Sequence, residues 1–136
     1  MNNLFKDIME QAEDDENYLK EQWEELTYNL KDLFNDYNVD LYKIINTPIY
    51  IDRNLLTKGL GATRIINNKP KVFFNPIITD ESLVDGRKAC GAIVHEMLHV
   101  AAYYIDHKLS HEDSWLKMAN DERLKKLNIK QFCTDI

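Results

Sequence analysis

Two histidines four residues apart, with a glutamate directly after the first, stand in His95-Glu96-Met97-Leu98-His99. On an α-helix, residues four apart lie about 40° apart around the axis and about 6 Å along it, so both imidazoles reach one point in space. A zinc ion fits that point. Glu96 follows about 100° round the helix, close enough to the ion's open side to act as a base on activated water without being a ligand. The surrounding residues Ala92, Ile93, Val94, Met97, Leu98, Val100, Ala101 and Ala102 are apolar on nearly every side, which describes a buried helix rather than an amphipathic one. Three polar side chains inside such a helix are costly unless paired, and a bound metal is their natural partner.

A catalytic zinc takes three protein ligands and a water, so a third ligand is needed. The extended metzincin pattern requires a glycine at 102 and a histidine at 105; the chain has Ala102 and Ile105, which excludes that class. Three candidates stand downstream: His107, His111 and Glu122, the last placed as a gluzincin would place it. His111 is favoured because it falls at the first turn of a helix that Trp115 and Met118 would dock on the core. His107 lies in a polar loop and reads as an exposed residue.

The elements that must hold these residues follow from periodicity. Leu4, Phe5, Ile8, Met9 and Ala12 recur at helical spacing, and after the acidic run Glu13 to Glu16 a stronger pattern runs through Leu19, Trp23, Leu26, Leu30, Leu33, Phe34 and Tyr37. The acids Glu21, Glu24, Glu25 and Asp32 form its solvated face. Asn35 to Asn46 breaks the pattern, and Pro48 to Ile51 is strand-like. Thr57 to Gly61, with its two glycines Gly59 and Gly61, is a turn, and Ala62 to Ile66 and Lys71 to Phe74 form a hairpin around Asn67 to Pro70. A capping box at Ser82 to Asp85 starts the metal helix at about Leu83, and it runs to Tyr104 or Asp106. Ser110 to Asp113 is a second capping-box-like start, for a last helix that turns Trp115, Leu116, Met118, Ala119 and Leu124 inward.

Composition sets the frame. A chain of 136 residues suits one domain with one core. Mean hydropathy of −0.49, no apolar run of bilayer length and an acidic N-terminus indicate a soluble cytoplasmic protein, with no membrane association. Cys90 and Cys133 form no CxxC pair: Cys90 reads as a small core residue and Cys133 as a free thiol, with no disulfide and no zinc ribbon. Residues 1–40 carry twelve acids and three bases, residues 41–136 eleven acids and fourteen bases, within an overall charge of −6. That balance disfavours DNA as a partner, since phosphate-backbone affinity comes from Lys and Arg.

The stretch Ala-Cys-Gly-Ala-Ile-Val-His95-Glu96-Met-Leu-His99-Val-Ala after a small hairpin, then His111-Glu112-Asp113-Ser114-Trp115 after a short loop, resembles the SprT-like metallopeptidase domain, the group that includes Spartan-type proteases. In that family H-E-x-x-H is followed by a helix beginning His-Gly-x-x-Phe/Trp, whose histidine completes the zinc site. His111 and Trp115 match, and Glu112 stands where the family has glycine. The resemblance covers roughly Leu26 to Leu127. It implies an α+β, zincin-like domain over residues 1–136, with 1–20 as an N-terminal helical extension. N-terminal helices, a three-stranded sheet with a hairpin, the H-E-x-x-H helix and a C-terminal helix make up its architecture. It further implies zinc on His95, His99 and His111, Glu96 as general base, and a minimal form without the zinc ribbon that many members use to reach DNA.

The function expected on this basis is zinc-dependent peptide hydrolysis by a monomer acting on a protein or peptide. The substrate would lie extended beside the exposed strand of the sheet, Lys71 to Phe74. Tyr103, Tyr104 and His107 are candidates to stabilise the oxyanion, with nothing selecting among them. Two other functions compete: a zinc-containing binding module that works through its acidic N-terminal helix, and a zinc amidase acting on cell-wall peptides. An intact Glu96 argues against the first, because a purely structural site has no use for that carboxylate.

Overall fold

The computed structural model describes residues 2–53, 59–79 and 87–126, with side chains over 14–53, 59–78 and 91–125. Among these the chain is α+β, with six α-helices and one small mixed sheet. Helix α1 runs from Asn2 to Asn29 without a break, so the two N-terminal helical patterns are one helix. No Gly or Pro separates them, and the acidic run between them contains good helix formers. The break comes instead at Leu30 (φ −104°, ψ 13°), where α2 (Lys31–Asp36) begins. Leu26, Leu30, Leu33 and Phe34 stay buried on both sides of the bend.

The segment 35–46, expected to be irregular, contains a further helix, α3 (Leu41–Ile45). Asp40, a residue that reads as a breaker, is its N-cap: Oδ1 accepts the Tyr42 N–H at 2.9 Å. Ile44 of α3 is buried, and its carbonyl receives the indole N–H of Trp23 at 2.7 Å, which ties α3 to α1.

The sheet consists of β1 (Ile49–Ile51), β2 (Gly61–Ile66) and β3 (Lys69–Phe74), in the order β1-β3-β2. β2 and β3 are antiparallel, with Gly61 opposite Phe74 and Ile66 opposite Lys69. Their turn is only Asn67-Asn68, both at positive φ (54° and 63°), the left-handed pair a two-residue hairpin needs. Lys69 and Pro70, expected in the loop, therefore belong to β3. β1 pairs with β3 in parallel, Ile49 opposite Val72. This corrects the expectation that Lys71 to Phe74 is an exposed strand, because β3 has a strand on each side. The outer edge of β1 is partly closed by Glu16 of α1, whose Oε1 accepts the Ile51 N–H at 3.1 Å. Among the described residues β2 carries no strand on its outer side.

Helix α4 (Arg87–Asp106) lies against β2 and β3, and α1 and α5 (Asp113–Ala119) pack on it. Residues 92–102 of α4 are buried throughout, as its apolar sequence requires. The capping box at Ser82 to Asp85, the Thr57-Lys58 part of the turn, the side chains of residues 4 to 12 and those of Cys90 and Cys133 lie outside the described residues. The expected C-terminal helix is divided into α5 and α6 (Glu122–Lys126). Trp115, Met118 and Leu124 face the core, but Leu116, expected inward, is 47% exposed, since it lies about 100° round the helix from Trp115. No described helix is long and apolar enough to cross a membrane.

Candidate metal centre

Successive turns of α4 supply His95 and His99, both buried, with ring centroids 4.9 Å apart. His111 comes from the loop before α5, two residues ahead of the helix rather than in its first turn. Its Nε2 lies 3.1 Å from the Nε2 of His99 and 3.1 Å from that of His95. Three ligand atoms, one from each ring, fall within 4.8 Å of one another, a group able to hold a metal ion. Tetrahedral coordination with metal–nitrogen bonds of about 2.05 Å places its nitrogens about 3.3 Å apart, so these separations fit a single ion. They do not suit hydrogen bonding alone. A neutral imidazole Nε2 is either a donor or an acceptor, and three converging nitrogens cannot satisfy one another pairwise.

The surroundings keep His99 in the metal-binding form. Burial, and then the neighbouring His95 and His111, push the His99 pKa down to about 3, so its nitrogen lone pair is available at neutral pH. Trp115 braces the cluster: its ring stacks on His99 (5.4 Å, 27°), meets His111 edge-on at 4.7 Å, and its indole N–H donates to the His95 carbonyl at 3.2 Å.

Glu96 is 2% exposed. Its Oε1 accepts the Thr63 hydroxyl at 2.9 Å. Its Oε2 lies 3.9 Å from His95 Nε2 and has no hydrogen-bond partner among the described residues. Burial raises its pKa from 4.5 to about 7, against the opposing effect of the Thr63 hydrogen bond. A buried carboxylate with one oxygen tethered and the other directed to the histidine cluster can exchange a proton with a water held there. Gly61 makes room for it, since a Cβ at that position would lie 3.1 Å from Glu96 Cγ and 3.0 Å from the Phe74 ring.

Neither Glu122 nor His107 belongs to this group. Glu122 is exposed at the start of α6, and His107 is exposed at positive φ (58°) just beyond the end of α4. Tyr104 lies beneath the Lys43 ammonium of α3 (5.2 Å to the ring centre) and lines a cleft of about 450 Å³ that contains none of the three histidines. Thr63 carries no signal in the sequence. It is separated from Glu96 by 33 residues, and only the strand order brings the two together.

Replacing Thr63 with Val keeps the volume and removes the donor that favours the charged carboxylate. The Glu96 pKa should then rise further, by about one unit. Titration of the Glu96 carboxyl by ¹³C NMR measures it; an unmoved midpoint would remove Thr63 from the site's electrostatics. In comparisons with known proteins, no family model, no curated protein and no solved structure matches the chain.

Proposed function

We propose that the protein is a zinc-dependent metallopeptidase of zincin type, SprT-like in its ligand order. The observation that carries this reading is the convergence of His95, His99 and His111 on one point beside the buried Oε2 of Glu96. A structural zinc site is closed by a fourth protein ligand; this group offers three histidines and a carboxylate set back from them.

Zinc bound by the three Nε2 atoms would supply Lewis acidity, polarising the scissile carbonyl and acidifying water. The chain's own residues do the rest. Glu96 Oε2 takes the proton of the attacking water, while Thr63 holds Oε1 and fixes the carboxylate's orientation. Glu96 then returns that proton to the departing amine nitrogen. Apolar packing around α4 limits water to the open face of the cluster, where His111 is exposed. The outer edge of β2, which carries Thr63 and pairs with no further strand among the described residues, would take an extended peptide as an added strand. This moves the expected substrate strand from β3 to β2.

The test is cleavage of a panel of unfolded proteins, peptides and muropeptides, before and after stripping the metal with 1,10-phenanthroline. Cleavage of protein or peptide should fall by at least about a hundredfold on stripping and return with stoichiometric zinc. Turnover of muropeptides alone would move the substrate to cell-wall amides. No turnover of any substrate by zinc-loaded protein would sink the proposal.

A further inference from the structure

Two of the three histidines are fixed by α4, but His111 is the exposed one and comes from a non-helical segment. The order of that segment therefore decides whether the third nitrogen arrives on target. The segment begins at His107 (φ 58°) and ends at Asp113 (φ 50°), two non-glycine residues in the left-handed region. That conformation is unfavourable for both and must be held by contacts elsewhere. The Lys108–Asp113 ion pair spans the segment, but both side chains are about half exposed, so water and salt screen it.

A second contact is better placed. Asp106, the last residue of α4, accepts the Ser114 backbone N–H on Oδ2 at 3.0 Å and the Ser114 hydroxyl on Oδ1 at 2.9 Å. Both carboxylate oxygens are used, and Ser114 is 8% exposed. Ser114 precedes Trp115, whose ring braces all three histidines. The double hydrogen bond thus closes the loop bearing His111 and sets the register in which α5 meets α4.

We infer that Asp106 and Ser114 are positioning residues for the metal site, a clamp that holds His111 in place and so sets metal affinity and coordination geometry. The inference rests on the three histidines being a metal site. Neither residue touches the metal position; both act through the loop between them. Removing a partner that hydrogen-bonds a ligand directly typically weakens metal binding about 10- to 100-fold, so a clamp one step further out should act at the lower end of that range, about tenfold.

The experiment measures Zn²⁺ affinity by competition with a chromophoric chelator, the visible spectrum of the Co²⁺-loaded protein, and the melting of metal-free protein. It compares wild type with Asp106→Ala, Asp106→Asn and Ser114→Ala. Asp106→Ala should lose about tenfold in Zn²⁺ affinity, and its tetrahedral Co²⁺ bands should weaken. Asp106→Asn and Ser114→Ala each keep part of the clamp and should show smaller losses, with metal-free melting close to wild type. Wild-type affinity and spectrum in a folded Asp106→Ala protein would overturn the inference. So would a loss of affinity that tracks lost stability with an unchanged Co²⁺ spectrum. Should Asp106→Ala not fold, unchanged affinity in Ser114→Ala overturns it equally. A wild type that binds no zinc removes the metal site itself, and the clamp with it; zinc-binding wild type with unaffected variants removes the clamp alone.

Discussion

Glu96→Gln protein is expected to bind one zinc per chain and to hydrolyse its substrate about 10²- to 10⁴-fold more slowly than wild type, the range a positioned acid–base group contributes. The substitution keeps the size of a side chain that is 2% exposed and leaves His95, His99 and His111 in place, so the metal should stay. What is lost is the proton acceptor at Oε2. The pH dependence should change too. As the proposed base Glu96 would have to be ionised, and burial holds its pKa at about 7, so wild-type activity should rise with pH up to that region. A cation at the histidines favours the carboxylate and shifts the limb to lower pH. Residual Glu96→Gln activity should lack this limb.

The same group predicts the sign of a stability effect. A carboxyl whose folded pKa is raised from 4.5 to about 7 favours the folded state at low pH, and that contribution is lost as pH rises between those values. His99, lowered from 6.5 to about 3, acts oppositely: its contribution is present above pH 6.5 and is lost as pH falls. In metal-free protein at pH 8 the wild type carries a buried charge that the amide does not, so Glu96→Gln should melt no lower than wild type. Retained hydrolysis by zinc-loaded Glu96→Gln, free of contaminating protease, would take the base role away from Glu96.

Why Glu96 was legible and Thr63 was not is a matter of sequence distance. His95, Glu96 and His99 are related by helix geometry, which any apolar stretch with this spacing imposes locally. The burial of α4, the hairpin and the amphipathic pattern through Leu19, Trp23 and Phe34 follow from the same local rules. The position of β3 between β1 and β2 does not. A hairpin fixes the pairing of β2 with β3, but the parallel partner of β3 is β1, about twenty residues earlier in the chain, where α1 packs on it. The expectation of an exposed edge at β3 differs from the structure for that reason, and the same long-range order sets Thr63 beside Glu96. Asp40 and Asp106 show a related limit. Asp40 reads as a breaker and Asp106 as an ordinary polar residue at the end of a helical pattern, yet each is a hydrogen-bonding anchor, the first two residues away from its partner and the second eight.

His111→Ala protein is expected to lose zinc under conditions in which Glu122→Ala and His107→Asn retain it. Structural zinc sites with four ligands bind with about 10–16 kcal/mol, so one ligand's share is about 3 kcal/mol, or more than a hundredfold in affinity. His111 is exposed and outside the core, so its removal should leave the metal-free protein folded and melting near wild type. That contrast separates a ligand from a packing residue: an affinity loss without a stability loss assigns His111 to the metal. Glu122 is exposed on α6 and has no part in the group of three histidines, so its replacement should change neither quantity. His107 occupies a left-handed position that asparagine tolerates better than histidine, so His107→Asn should keep its zinc and melt at the same temperature or slightly higher. Mass spectrometry on native protein purified without added zinc reads all four proteins together. Zinc kept in His111→Ala but absent from Glu122→Ala would move the third ligand to α6 and make the site gluzincin-like. Because His111 joins the cluster through a loop while His95 and His99 share a helix, its removal is also the substitution that most directly asks whether a two-histidine helix holds metal alone.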